Sequence, residues 1–306
     1  MRRILLIGAN GFIGSHLAEY MNLHHEVHLT LVSRMISDHL LKLKERKNVT
    51  VIQGDYQDLL FIEPILRTVD IVYHLASSSF PSSSWNNPQQ DVEKNLKPTI
   101  DLFSACTYTG VKKIVFISSA GTIYGNNQGL LNEETPAMPF SPYGIVKYAI
   151  ENFLEYYRLK SGINYDIYRL SNVYGPGQNK VGFGVINTWL RNAKEDAIIK
   201  VYGDGTASKD YIYIDDAVRL MSHSVVSDED TSFLFNICSS ETHSLNDIIR
   251  VIENILDKPL NVEYIDRAKS DNAIVRLDNK KILQNFDLKT FISLEEGVLL
   301  TWDSLG

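Results

Sequence analysis

Arg3-Ile4-Leu5-Leu6-Ile7-Gly8-Ala9-Asn10-Gly11-Phe12-Ile13-Gly14 is the stretch that decides the fold of this chain. The apolar run up to Ile7 reads as a buried parallel strand, because such strands are covered on both faces. It stops at Gly8, and a helical pattern follows through Met21. Glycines at 8, 11 and 14 permit a tight strand-to-helix turn. Their missing side chains let a pyrophosphate reach the helix N-terminus, where free N–H groups and the dipole favour anions. Phe12 and Ile13 lie inside the same turn. A GxxGxxG between a strand and a helix predicts a dinucleotide site on a Rossmann sheet.

Further along, the pattern repeats. Val27–Ser33, Val49–Gln53, Asp70–Ala76 and Lys112–Ser118 read as strands, and 88–110 reads as a helix containing Asn95. Strands alternating with helices over roughly the first 170 residues predict a doubly wound parallel sheet. The fold class expected is α/β: a Rossmann domain over 1–172 and a smaller C-terminal α/β substrate region over 173–306, with the chain interleaving between them. In such sheets ligands lie beyond the carboxyl ends of the strands. Asp55 and Tyr56 after the third strand, Leu75 and Ala76 after the fourth, and Asn95 therefore join the candidate cofactor set. His74 reads as a packed strand-end residue. Ser33-Arg34 closes the second strand, where an acid would bond the ribose of NAD. Arg34 would instead pair with a 2′-phosphate, so the cofactor is NAD or NADP, with NADP slightly favoured.

Ser141-Pro142-Tyr143-Gly144-Ile145-Val146-Lys147 opens another helix, with Ile145, Ala149, Phe153 and Tyr157 expected as its buried stripe. Tyr143 and Lys147 are four apart, so they project from one face. An ammonium beside a phenol favours the phenolate, and a tuned tyrosine can exchange a proton with a substrate hydroxyl or carbonyl.

Composition narrows the partners. The chain has 306 residues, 44% hydrophobic and 22% charged, with a net charge of −7 that argues against nucleic-acid binding. Cys106 and Cys238 match no metal-ligand spacing and read as reduced thiols in a cytoplasmic interior. The N-terminal apolar run is interrupted too early for a signal peptide. No run approaches the roughly 18 apolar residues that span a bilayer. No metal is expected.

Taken in order, these elements resemble the extended short-chain dehydrogenases/reductases of the nucleotide-sugar epimerase/dehydratase group. The resemblance rests on Gly8-x-x-Gly11-x-x-Gly14, Gly54-Asp55, His74-Leu75-Ala76, Asn95, Ser118-Ser119-Ala120-Gly121-Thr122-Ile123-Tyr124-Gly125, Tyr143-x-x-x-Lys147, Arg169-Leu170-Ser171-Asn172-Val173-Tyr174-Gly175-Pro176 and Gly203–Asp216. Leu277-Asp278 to Lys281 and Ser293–Gly297 complete it. It implies a nicotinamide cofactor on the N-terminal sheet and a nucleotide-linked hexose under the C-terminal region. Thr122 then corresponds best to the catalytic hydroxyl, with Ser119 as the alternative, Tyr143 to the proton-transfer group and Lys147 to its partner. Asn172, Lys209, Arg267 and Asp271 correspond to nucleotide contacts, and Ser79 to the sugar pocket. That pocket is shaped by Ser79–Trp85, Thr122 and the segment 181–187. Lys209 stands where the group usually has Arg, and Arg267–Asp271 is one residue longer than its usual element. A homodimer through helices at 90–108 and 142–160 is also implied.

The resemblance leaves three functions. A 4-epimerase acting through a transient 4-keto sugar leads. An NADPH-dependent 4-keto-6-deoxyhexose reductase is the second, and a non-catalytic NADP-sensing regulator the third. Ala120-Gly121-Thr122-Ile123 lacks the Asp-Glu pair of the dehydratases, so dehydration is not expected.

Overall fold

The computed structural model describes all residues except 179–183, 228–229, 267–273, 287 and 289. The chain divides into two units. The first comprises Met1–Gly125, Ala137–Arg169 and Met221–Phe235, and the second Asn126–Pro136, Leu170–Leu220 and Asn236–Gly306.

Five strands begin the first unit: β1 (Arg2–Ile7), β2 (Val27–Ser33), β3 (Val49–Gln53), β4 (Ile71–His74) and β5 (Lys113–Ser119). They belong to a seven-stranded sheet in the order β3, β2, β1, β4, β5, then Asn164–Leu170, then Phe233–Ile237. The pairs β1–β2, β2–β3, β1–β4 and β4–β5 are parallel. The order reverses between β1 and β4, which places the switch point at the carboxyl ends of those two strands. Leu5, Ile7, Val72, Ile114 and Phe116 of the sheet share one core with Leu102, Phe103, Val146, Ile150 and Leu154.

Two helices differ from the sequence expectation. The segment 88–110 is not one regular helix. It runs as Pro88–Asp91, a wider π-turn over Val92–Leu96, and a helix Lys97–Thr109. Such insertions recur at functional sites, and this one carries Asn95. The helix Pro142–Ser161 is capped by Ser141, whose hydroxyl accepts from the Gly144 N–H at 3.1 Å, and it ends at Gly162 with φ 76°. Its buried apolar stripe is Val146, Ile150, Leu154 and Tyr157. The stripe expected at Ile145, Ala149 and Phe153 is displaced by one residue, and Ile145 is 51% exposed. Both stripes repeat with helical period. The core selects the one that keeps Lys147 and Glu151 facing inwards.

A buried ion pair anchors the returning segment of this unit. Lys113 and Asp166, each fully buried, lie 3.3 Å apart. Asp166 also accepts from Ser224 Oγ at 2.6 Å and from the Phe233 N–H at 3.1 Å.

In the second unit, Ser208–Tyr213 pairs in parallel with Asn172–Tyr174 and antiparallel with Thr242–Ser244. Ile199–Tyr202 pairs in parallel with Val262–Ile265. The helix Leu245–Leu256 starts from a capping box, in which Ser244 and Asp247 each take the other's backbone N–H.

Candidate active site

At the end of β1 the chain turns through Gly8, held at φ +92°. A Cβ there would meet the Ala76 N at 2.9 Å, and one at Gly14 would meet the Gly8 O at 2.4 Å. The helix α1 (Phe12–His24) therefore packs directly on the strand end. Gly11 caps α1 without a side-chain bond. The first N–H groups of α1, from Phe12 and Ile13 on, are thus left for an anion. A cradle that admits no Cβ at two of its glycines suits the close approach of a pyrophosphate. Ser33 ends β2, and Arg34 beyond it is exposed. Gly54 follows β3 and donates its N–H to the Ser33 O at 3.0 Å. Asp55 accepts from the Gln57 N–H at 3.1 Å, and Tyr56 is buried. Leu75 and Ala76 continue β4, with the Leu75 N–H bonded to the Ile7 O at 3.0 Å. The predicted cofactor residues of β1, β2, β3 and β4 thus end at one edge of one sheet.

A pocket at this edge is lined by residues that include Ala76, Asp91, Asn95, Tyr143 and Lys147. Lys147 Nζ lies 5.7 Å from the Tyr143 ring centroid and 4.6 Å from that of Phe116, and it donates to the Ile117 O at 2.8 Å. The helix start is fixed from the other side, where Ser84 Oγ accepts from the Tyr143 N–H at 3.3 Å. Thr122 stands in the short helix Ala120–Ile123 after β5, and its Oγ1 is buried without a partner. Ser118 Oγ is likewise buried and unpaired, whereas Ser119 ends β5. Unpaired buried hydroxyls are costly, so both are ready to bond a ligand oxygen.

The electrostatics correct one expectation. Burial, and after it the charge of Asp91, raises the Tyr143 phenol above its usual range. In the free pocket Lys147 does not bring the phenol towards neutrality. Lys147 itself is pushed down to about 8 by burial, while Glu151 and Asp91 oppose the fall. Glu151 is held by Arg169 through bonds of 2.6, 3.1 and 3.3 Å. His74 is packed as expected: it is buried, and its Nε2 meets Thr99 Oγ1 at 2.9 Å. Burial, with the charge of Lys147, pushes it down to about 3.

Asn95 organises the loop after β4. Its Oδ1 accepts from the Ser78 N–H at 2.8 Å and from Ser78 Oγ at 3.0 Å. Its Nδ2 donates to Ser79 Oγ at 3.0 Å and to Asp91 Oδ1 at 2.9 Å. Sequence reading missed Asp91. The signal was available: Asp91 precedes Asn95 by four residues, as Tyr143 precedes Lys147.

In the second unit Asn172 Nδ2 donates to the Asp210 O at 2.8 Å, so Asn172 and Lys209 stand on adjacent paired strands. Asp210 is fully buried, bonded by the Ser239 N–H at 3.1 Å, and burial pushes it up to about 6. Arg267 and Asp271 lie outside the described residues, as do 181–183 of the predicted pocket segment 181–187. Among the described residues no group of His, Cys, Asp and Glu could hold a metal. No described helix is long and apolar enough to cross a membrane.

The family of NAD dependent epimerases/dehydratases matches residues 4–238. This chain belongs to that family. A putative UDP-glucose 4-epimerase of Methanocaldococcus jannaschii is 28% identical over 300 residues, covering 96% of this chain and 95% of the relative. A dTDP-4-dehydro-6-deoxyglucose reductase of Escherichia coli is 30% identical over 303 residues, covering 96% and 95%. Among solved structures, a UDP-glucuronic acid 4-epimerase from Bacillus cereus, in complex with UDP-glucuronic acid and NAD, superposes with a TM-score of 0.92 at 26% identity. That match covers 99% of this chain and 98% of the other. As a member of the NAD-dependent epimerase/dehydratase family, the chain keeps its glycine turn and its Tyr-x-x-x-Lys pair at one edge of one sheet.

Proposed function

We propose that this protein is a nucleotide-sugar 4-epimerase that uses a bound nicotinamide dinucleotide. The observation that carries the reading is the pocket of Tyr143 and Lys147 beside the Gly8–Gly14 turn, in a chain similar end to end to 4-epimerases. The cofactor supplies reversible hydride transfer at C4. Once further positive charge in the pocket has ionised the phenol, Tyr143 takes the proton of the 4-hydroxyl as the 4-keto sugar forms and returns it after the sugar has turned over. Thr122 Oγ1, buried and unpaired, bonds the same oxygen. Lys147 orients the phenol and compensates negative charge on it. The family resemblance assigns Asn172, Lys209 and Arg267 to the nucleotide diphosphate and Asp271 to the ribose, contacts that persist while the sugar turns.

Arg34 is exposed at the end of β2, where it would read a 2′-phosphate, so NADP is accepted beside NAD. The partner is a nucleotide-linked hexose in the cytoplasm. A homodimer has support in the unused stripe of the helix Pro142–Ser161, where Ile145, Tyr156 and Leu159 are exposed. The mass in solution measures it.

A panel of UDP-, dTDP- and GDP-hexoses, assayed for C4 inversion, tests the activity. The ultraviolet spectrum of the purified protein separates it from the reductase reading, which the Escherichia coli relative supports. Retained nicotinamide is expected of an epimerase, whereas an empty site that turns over only with added NADPH would replace the proposal by the reductase. No turnover in either assay would favour a sensor.

A further inference from the structure

We propose that Asp91 is the counter-charge of the Tyr143–Lys147 pair, a buried carboxylate that keeps the ammonium charged and the phenol protonated in the free pocket. It is a positioning residue, acting through those two groups, and its catalytic meaning rests on the epimerase reading above.

Asp91 ends the short helix Pro88–Asp91 and is 1% exposed. Among the described residues it is the only carboxylate lining the pocket of Tyr143 and Lys147. Its Oδ1 accepts from Asn95 Nδ2 at 2.9 Å and from Ser79 Oγ. Its Oδ2 is buried without a partner. A carboxylate held out of water with one oxygen unbonded needs positive charge nearby to be tolerated. Among the described residues Lys147 is the only lysine or arginine lining the same pocket.

The other groups around the pair are already accounted for. Glu151, one turn further along the helix, is held by Arg169 of the strand Asn164–Leu170 at 2.6 Å. His74 of β4 is buried, neutral and bonded to Thr99. β5 presents the ring of Phe116 and the carbonyl of Ile117 to Nζ. Asp91 is therefore the carboxylate left to act on both members of the pair. Its charge pushes Tyr143 further up and, after that of Glu151, opposes the fall of Lys147. The phenol then stays protonated until further positive charge enters the pocket. Asp91 also ties the same pocket to the loop of Ser78 and Ser79 through Asn95.

Lysine side-chain titration by NMR reads the effect with neither substrate nor turnover. The protein carries 13C-labelled lysine, and Lys147→Met assigns the signal. A midpoint at about 8 is expected in the parent. Asp91→Asn keeps the shape and removes the charge, and it should lower that midpoint by about one unit, tenfold in the equilibrium constant. Asp91→Glu should restore most of it. Ser78→Ala breaks a loop bond to Asn95 without touching Asp91 and should leave the midpoint in place. Thermal melts verify folding. If Asp91→Asn does not fold, Asp91→Ser takes its place in the titration. An unmoved midpoint in a folded variant without the charge overturns the proposal, as does an equal shift in Ser78→Ala. The alkaline limb of kcat should move down with the midpoint in Asp91→Asn. A protein inactive on every sugar of the panel, yet with a shifted Lys147, would sink the epimerase reading and leave this one standing. An active epimerase whose Lys147 does not respond would do the reverse.

Discussion

The Gly8–Gly14 turn and the Tyr143 pocket lie at the same edge of one sheet and are built from opposite materials. The turn is consecutive backbone. It functions through what it lacks, since a Cβ at Gly8 would meet Ala76 at 2.9 Å and one at Gly14 the Gly8 carbonyl at 2.4 Å. The pocket is assembled from side chains on distant segments: Ala76 and Ser77 after β4, Asp91 and Asn95 on the interrupted helix, Phe116 on β5, and Tyr143 and Lys147 on the helix Pro142–Ser161. A binding site for a constant group, a pyrophosphate, can be a local motif. A site that tunes protons needs burial and charges at several distances, which one segment does not supply. Mutations should therefore separate the two. Changes in the turn should cost binding and stability, and changes in the pocket should cost rate.

The largest separation is expected at Tyr143. Tyr143→Phe keeps the ring that Lys147 faces, so folding and cofactor retention should survive. Turnover should fall by roughly 10²–10⁴, the usual worth of a positioned acid-base group. Steady-state kinetics with the preferred sugar nucleotide measures this, and full activity would remove the pocket from the mechanism.

Gly8→Ala probes the other side. It combines a left-handed φ of +92° with a backbone contact below 3 Å. A loss of about 2–3 kcal/mol in stability, with weakened cofactor retention, is expected from strain of this kind. Urea unfolding checks it. A variant as stable as the parent, with its cofactor in place, would show that the turn has room the geometry denies.

Arg34→Ala tests the rim of the turn. If Arg34 reads a 2′-phosphate, NADP should bind more weakly by a factor of tens and NAD nearly as before, because one charge-assisted contact is worth roughly 1.5–3 kcal/mol. Calorimetric titration with both cofactors decides it. Equal affinities in the parent would confine recognition to the glycine turn.

The mildest effect concerns pH. Burial lowers Lys147 to about 8, so its ammonium persists below that pH and is lost above it. Turnover should accordingly decline above about pH 8, at most tenfold per unit for a single group. A flat profile from pH 7 to about 9.5 would mean that the charge of Lys147 is not needed in the rate-limiting step.

The sequence by itself determined β1 to β5 to within about two residues, the glycine turn, and the shared face of Tyr143 and Lys147. These depend on local constraints: apolar runs bounded by glycine, the sterics of φ > 0, and the period of a helix. Only the tertiary structure decided which stripe of the helix Pro142–Ser161 is buried. Ile145-Ala149-Phe153 and Val146-Ile150-Leu154 have the same period, and the choice follows from what packs opposite. It also decided the π-turn at Val92–Leu96 and the entry of Asp91 into the pocket. It reversed the expected ionisation of Tyr143, because a phenol responds to its total burial and to every nearby charge, and a spacing of four residues reports only one of them.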